Sequence, residues 1–247
     1  AAFLEYYRRF IPEEMDAIYS PKSPDYALAG LALYSQKWRH DEYKVLYTEV
    51  PGCVPIELVN GEIALIDFRI DRIVEGKEGI YIMEHKTATK GGELWNRQWY
   101  LSIQVGTYIH ALNCHFPNEK VWGAWIDGVF FLKSMLPGAT KKPPEMDSLF
   151  KRVPVRKTLG QMNNWMQIVG NAICQIRQNL EALEEGGELY FIMNPTNCMK
   201  YGICQYHDLC VSWDSPIDRL DEPPMGFTQT FWDPFDSIED PDEDWRK

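Results

Sequence analysis

The sequence predicts an α/β protein with a mixed central sheet flanked by helices, and three observations predict it. The hydrophobic period switches between 3.6 and 2 along the chain. Three strand candidates lie between helical blocks that end near Trp38 and begin near Leu94. A further strand and a long helix follow, an order that buries a sheet between helical layers. The 247 residues are 45% hydrophobic, with thirteen Tyr, eleven Phe and nine Trp, enough to fill a sizeable core. That excludes a wholly disordered or collagen-like chain.

The elements are predicted in turn. Residues 1–38 read as helical, and Ala1-Ala2-Phe3-Leu4-Glu5-Tyr6-Tyr7 reads as the middle of an amphipathic helix with no cap before it, so a fragment with an N-terminus further upstream is expected. Tyr43 to Val50 alternates and is rich in β-formers, and Pro51-Gly52 reads as its break. Gly61 to Glu75 is a long strand candidate, with Ile66, Phe68 and Ile70 on one face and Asp67, Arg69, Asp71 and Ile73 on the other. Residues 75–79 form a hairpin connection to a returning strand, Ile80 to Lys86. Leu94 to Asn113 carries Leu101, Val105, Tyr108, Ile109 and Leu112 at helical spacing. Val121 to Leu132 is another strand. A basic, proline-rich loop follows, then a helix from Gln161 to Glu185 closed by Gly186-Gly187, with a stripe of Trp165, Val169, Ala172, Ile173, Ile176, Leu180 and Leu183.

Charge and cysteines bound the function classes. No run approaches the roughly 18–20 apolar residues of a membrane span, and no basic, apolar leader is visible. No membrane partner is expected, and a cytoplasmic location is. Six cysteines are too few for a disulfide scaffold in a chain of this length and fit a reducing compartment. The net charge is −11, yet residues 214–247 alone hold eleven acids against three bases. That stretch reads as a largely extended acidic tail beyond one domain of residues 1–213. It is either a solubilising appendage or, because Phe231, Trp232, Phe235 and Trp245 are costly to expose, a docking peptide for a protein partner.

One constellation carries chemistry. Asp71 stands near the end of one strand and Glu84-His85-Lys86 on the strand that hairpins back beside it. Glu84 and Lys86 share a face, and an antiparallel register can bring Asp71 to them. Two carboxylates attract Mg²⁺ (or Mn²⁺), which keeps several waters. A lysine beside the ion can orient a water and stabilise charge on a phosphate. The bland alternative, a solvent-facing Glu-X-Lys pair, is outweighed by four features: the separation of Asp71, the apolar run Ile80–Met83, the Thr87 and Gly-Gly approach, and Gln104 with Tyr108 at i and i+4 on the next helix.

Arg69-Ile70-Asp71-Arg72-Ile73, then Ile82-Met83-Glu84-His85-Lys86-Thr87, then Gln104-Val105-Gly106-Thr107-Tyr108, resemble the PD-(D/E)XK nuclease superfamily, in its RecB/AddB-like exonuclease branch with many phage-encoded members. The resemblance covers residues 40 to 210. It implies a restriction-endonuclease-like core and a metal-dependent DNA nuclease, an exonuclease of recombination, repair or phage DNA processing that leaves 5′-phosphates. It also implies Asp71 and Glu84 as metal ligands with the His85 backbone carbonyl, Lys86 as the catalytic lysine, and Gln104 and Tyr108 as positioning groups. Glu49, ending the preceding strand, is a further candidate acid, or else a surface residue at a strand end. The branch's N-terminal histidine has no counterpart, since His40 lies in a polar loop.

Cys198, Cys204 and Cys210 lie within thirteen residues of the C-terminal segment. Similarity to exonucleases with a C-terminal cysteine group implies a [4Fe-4S] cluster, though no upstream fourth cysteine is evident, since Cys53 and Cys114 are not obvious ligands. His207 opens a Zn²⁺ alternative, and three reduced thiols a third. Lys133, Lys141, Lys142, Lys151, Arg152, Arg156 and Lys157 could neutralise DNA phosphates, or form a solvated loop. Trp95, Trp99 and Tyr100 could stack bases or fill the core. The rival to catalysis is a non-catalytic nucleic-acid-binding or protein-docking module that keeps the nuclease fold.

Overall fold

The computed structural model describes residues 2–136, 144–185, 195–199, 202–212, 223 and 225–230. The expected tail therefore lies outside the described residues except for 223 and 225–230, as do Lys141, Lys142 and the Gly186-Gly187 stop. Two units are distinguished, Ala1–Ile56 with Leu65–Met166, and Glu57–Ala64 with the described residues from Gln167 onward.

The chain is α/β, with a five-stranded mixed sheet flanked by helices. Its strands are β1 (Lys44–Glu57), β2 (Ile63–Gly76), β3 (Gly79–Ala88), β4 (Val121–Phe130) and β5 (Phe150–Val155), neighbouring one another in that order. β2 and β3 pair antiparallel, β3 and β4 parallel, and β4 and β5 antiparallel. The helices are α1 (Ala2–Tyr7), α2 (Asp16–Tyr19), α3 (Pro24–Lys37), α4 (Glu93–Arg97), α5 (Ile103–His115), α6 (Met146–Leu149), α7 (Leu159–Glu184) and α8 (His207–Ser212). The parallel β3–β4 crossover runs through α4 and α5, as a parallel connection requires.

Several elements depart from the sequence reading for identifiable reasons. The expected N-terminal helical stretch is three helices, interrupted where Pro12 and Pro21 withdraw backbone donors, with Pro24 at the first position of α3. β1 continues through Pro51-Gly52 instead of stopping there. It ends the sheet order, so a proline without an N–H is tolerated on it. A Cβ on Gly52 would stand 2.7 Å from Phe68 Cζ, so the glycine makes room for that ring. The helix expected over 94–113 breaks at Ser102, whose Oγ accepts the Val105 N–H and caps α5. β5 lies inside the stretch read as a basic loop. α7 fits its expected bounds, and Trp165 of its stripe is fully buried, while Ile176 and Leu180 are exposed.

The sheet has two covered faces. Phe68, Ile70, Ile73, Ile80, Ile82, Ala124, Ile126, Val153 and Val155 form one core cluster with Val105, Tyr108, Ile109 and Leu112 of α5. Val74, Tyr81 and Met83 form another with Tyr43, Trp122 and Trp125. Ile70 and Ile73 share a face while Val74 turns to the other, so the strict alternation expected along β2 slips by one residue between Ile70 and Asp71. In the second unit, Arg177 Nη1 donates to Glu62 Oε2 at 2.8 Å.

Gly106 of α5 lets Trp165 approach: a Cβ there would meet Trp165 Cδ1 at 2.3 Å. Helix propensity favours alanine at such a site by about 1 kcal/mol, whereas forcing atoms into a filled core costs ~1–3 kcal/mol. Gly106→Ala is therefore expected to lower the stability measured by urea unfolding by up to about 2 kcal/mol. An unchanged or raised stability would mean that the Trp165 contact yields freely.

Candidate active site

The slip in β2 decides where Asp71 points. Register pairs Arg72 with Met83 and Ile73 with Ile82, so Asp71 follows Ile73 onto the face that carries Ile82, Glu84 and Lys86. The Asp71 carboxylate caps the end of the paired ladder, its Oδ2 accepting the His85 backbone N–H at 2.8 Å. Lys86 Nζ donates to Glu84 Oε1 at 2.5 Å. Asp71, Glu84 and Lys86 are thus brought together, as the sequence predicts.

The two carboxylates sit in different environments. Burial pushes Asp71 up, but the hydrogen bonds and charge offered by His85 outweigh it and hold the carboxyl below its usual range. Burial pushes Glu84 up, and the neighbouring Asp71 charge adds to it against the pull of Lys86. Glu84 is 3% exposed and its Oε2 has no hydrogen-bond partner. A buried carboxylate oxygen left unsatisfied is costly, and a cation is a natural partner for it. Among the described residues no three His, Cys, Asp or Glu side chains converge as a complete metal cage. The donor set is two carboxylates, which fits a hard divalent ion that retains waters.

Tyr108 is buried, and burial with the nearby Glu84 charge pushes its hydroxyl up to about 12. That hydroxyl donates to the Arg69 carbonyl at 2.5 Å and accepts from Gln104 Nε2 at 2.9 Å. The pair therefore ties α5 to β2 two residues before Asp71. The Lys86 ammonium lies 5.8 Å from the Trp99 ring centroid. Trp95 packs edge-on against Trp99 and Phe130 and belongs to the core, while Tyr100 is exposed.

A second network, missed in the sequence, holds the opposite side of His85. Asp127 is fully buried on β4, in register with His85 and Arg152. Tyr34 of α3 donates to Asp127 Oδ2 at 2.5 Å, and Arg152 Nη2 donates to the same oxygen at 2.9 Å. Arg152 also reaches Asp41 at 2.8 Å and lies 4.0 Å from the Trp38 ring centroid. Burial would lower its pKa, but the Asp127 charge and bonds raise it, so the guanidinium stays charged. The His85 ring sits between Asp71 and Asp127, at 3.7 Å and 3.9 Å. The available signal was Asp127 itself, an acid inside the apolar run WIDGVFF.

The remaining candidates lie elsewhere. Glu49 has φ 51°, is exposed, and pairs with Arg69 Nε at 3.2 Å; it does not join Asp71 and Glu84 in a metal-competent group of three. It stands within β1, not at its end. Of the expected phosphate-binding cations, Arg152 is a buried structural group, Arg156 pairs with Glu78 at 2.9 Å, and Lys157 donates to the Tyr100 carbonyl at 2.9 Å. Lys151 projects to solvent from β5. Cys198, Cys204 and Cys210 are half-buried, and among the described residues they form no metal-competent group, with or without His207. No helix among the described residues is long and apolar enough to cross a membrane.

No protein-family model and no curated protein matches the chain. Among solved structures it is similar to one titled "Crystal structure of SSO0001", with 12% identity, coverage of 70% of this chain and 69% of that one, and a TM-score of 0.35. A likeness of that degree carries no argument about fold or function, and the site rests on its own geometry.

Removing one partner of a buried ion pair strands the other charge, at a cost of ~3–5 kcal/mol. Arg152→Met is expected to destabilise the protein by about that much in urea unfolding, and the double variant Asp127→Asn/Arg152→Met to recover most of the loss. A loss under about 1 kcal/mol, the scale of an exposed pair, in Arg152→Met would show that Asp127 does not depend on this partner.

Proposed function

We propose that the protein is a metal-dependent DNA nuclease, an exonuclease of the RecB/AddB-like branch of the PD-(D/E)XK superfamily built on a restriction-endonuclease-like core. The observation that carries the reading is the juxtaposition of Asp71 and the buried, half-unsatisfied Glu84 with the Lys86 ammonium on two adjacent strands. The order of these residues, with Gln104 and Tyr108 following on a helix, supports it further.

Asp71 and Glu84, with the His85 backbone carbonyl, would hold Mg²⁺ or Mn²⁺. When bound, such an ion polarises a phosphoryl oxygen and makes a water more acidic. The chain's own groups do the remaining work. Lys86 has three donors and spends one on Glu84, leaving two for an attacking water and a phosphate oxygen. Its position across from Trp99 restricts where the ammonium swings. Tyr108 and Gln104 fix the β2 backbone leading into Asp71. Asp127, Tyr34 and Arg152 hold the His85 ring, and through it the segment between Glu84 and Lys86.

The test is digestion of end-labelled linear and circular DNA with Mg²⁺, Mn²⁺ or EDTA. Linear DNA is expected to be degraded with either metal, circles to resist, and EDTA to stop the reaction. Lys86→Ala is expected to slow cleavage by roughly 10²–10³-fold, the usual loss on removing one preorganised electrostatic donor. Cleavage at the wild-type rate in Lys86→Ala overturns the reading. No cleavage alongside tight DNA binding favours a binding module that keeps the fold.

A further inference from the structure

We infer that the cavity between α3 and the sheet face carrying Arg72 and His85 is a binding site for a small organic phosphate of mononucleotide size. The cavity measures about 350 Å³, within the range of small-molecule sites. Leu31, Val129 and Phe131 give it apolar walls, and Tyr34, Arg72 and His85 supply its polar groups. It lies on the face of β3 opposite Glu84 and Lys86, because Arg72 pairs with Met83 and shares that residue's side of the sheet.

Arg72 is the decisive group. Its Nε is buried with no hydrogen-bond partner, and its Nη1 reaches only Met83 Sδ, at 3.8 Å. Among the described residues no carboxylate pairs with it. Arg152 is the contrast in charge: its Nε is likewise buried without a partner, but on the same side of the sheet its guanidinium is held by Asp127 and Asp41. The fold therefore neutralises one guanidinium and leaves the other facing a cavity. Buried donors are normally satisfied, and a guanidinium's planar fork matches the oxygens of a phosphate. Lys22 adds a second cation, its Nζ 3.5 Å from the carbonyl of the cavity-lining Thr87. The nearby acids are engaged elsewhere: Asp127 by Tyr34 and Arg152, and Asp71 by the His85 N–H. An inorganic anion would leave the apolar walls unused, whereas a nucleoside monophosphate covers them with its base and sugar and presents its phosphate to Arg72.

The site does not require the proposed metal chemistry, so its test runs in EDTA and on the Lys86→Ala background. Calorimetric titration of the full chain uses the four deoxynucleoside 5′-monophosphates, the corresponding nucleosides, and inorganic phosphate. At least one monophosphate is expected to bind roughly tenfold or more tightly than either its nucleoside or phosphate alone, as charge-assisted hydrogen bonds allow. Arg72→Met is expected to lose that advantage and Arg72→Lys to retain part of it. Ala27→Leu, which narrows the cavity from α3 and leaves Arg72 intact, is expected to weaken binding as well. Absence of binding, equal affinity for nucleoside and nucleotide, or undiminished binding in both Arg72→Met and Ala27→Leu overturns the inference, whatever the outcome of the cleavage assay.

Discussion

A single slip of alternation in β2 governs how the candidate site is assembled. If β2 kept period 2 from Phe68 and Ile70 onward, Asp71 would face away from that cluster and from the side of β3 that carries Glu84. The slip turns Asp71 to that side and sends Arg72 to the other. The Asp71 carboxylate then accepts the His85 N–H and ties β2 to β3 just where their paired ladder gives out. The hydrogen bond holds the acid against the peptide between Glu84 and Lys86, so the geometry of the whole constellation depends on it.

β3 divides its side chains between two environments. Glu84 and Lys86 lie on the side packed by α5, where Tyr108 anchors β2 and Trp99 faces the lysine. His85 lies on the side packed by α3, where Tyr34, Asp127 and Arg152 form a bonded charge network. A buried ionic network of this kind contributes little net stability but penalises alternatives that leave a charge unpaired. Its effect here is positional: the peptide carrying the candidate catalytic side chains is gripped from both faces.

The legibility of this arrangement in the sequence was uneven, for physical reasons. Asp71, Glu84 and Lys86 could be read because a short hairpin and a period of 2 make strand neighbours predictable. The face of Asp71 could not be read from alternation, because the slip leaves no residue-type mark in RIDRI. β5 was hidden because Lys151, Arg152 and Pro154 give FKRVPV the composition of a loop; only the burial of Phe150, Val153 and Val155 reveals the strand. The Pro51-Gly52 pair read as a stop, yet an end strand accepts both. The break at Ser102 had its signal in the cap residue, overridden by an apolar periodicity that runs across it. Asp127 stood out in its apolar strand, but its partners lie 93 and 25 residues away and pair with it only in the folded chain.

The most direct measurement of the central claim is diffraction from crystals soaked in Mn²⁺, collected for anomalous signal, on the wild type and on Asp71→Asn. The account predicts a Mn²⁺ peak in contact with both Asp71 and Glu84 in the wild type, and its loss in the variant. A Mn²⁺ peak elsewhere, or one that survives Asp71→Asn unchanged, would contradict it.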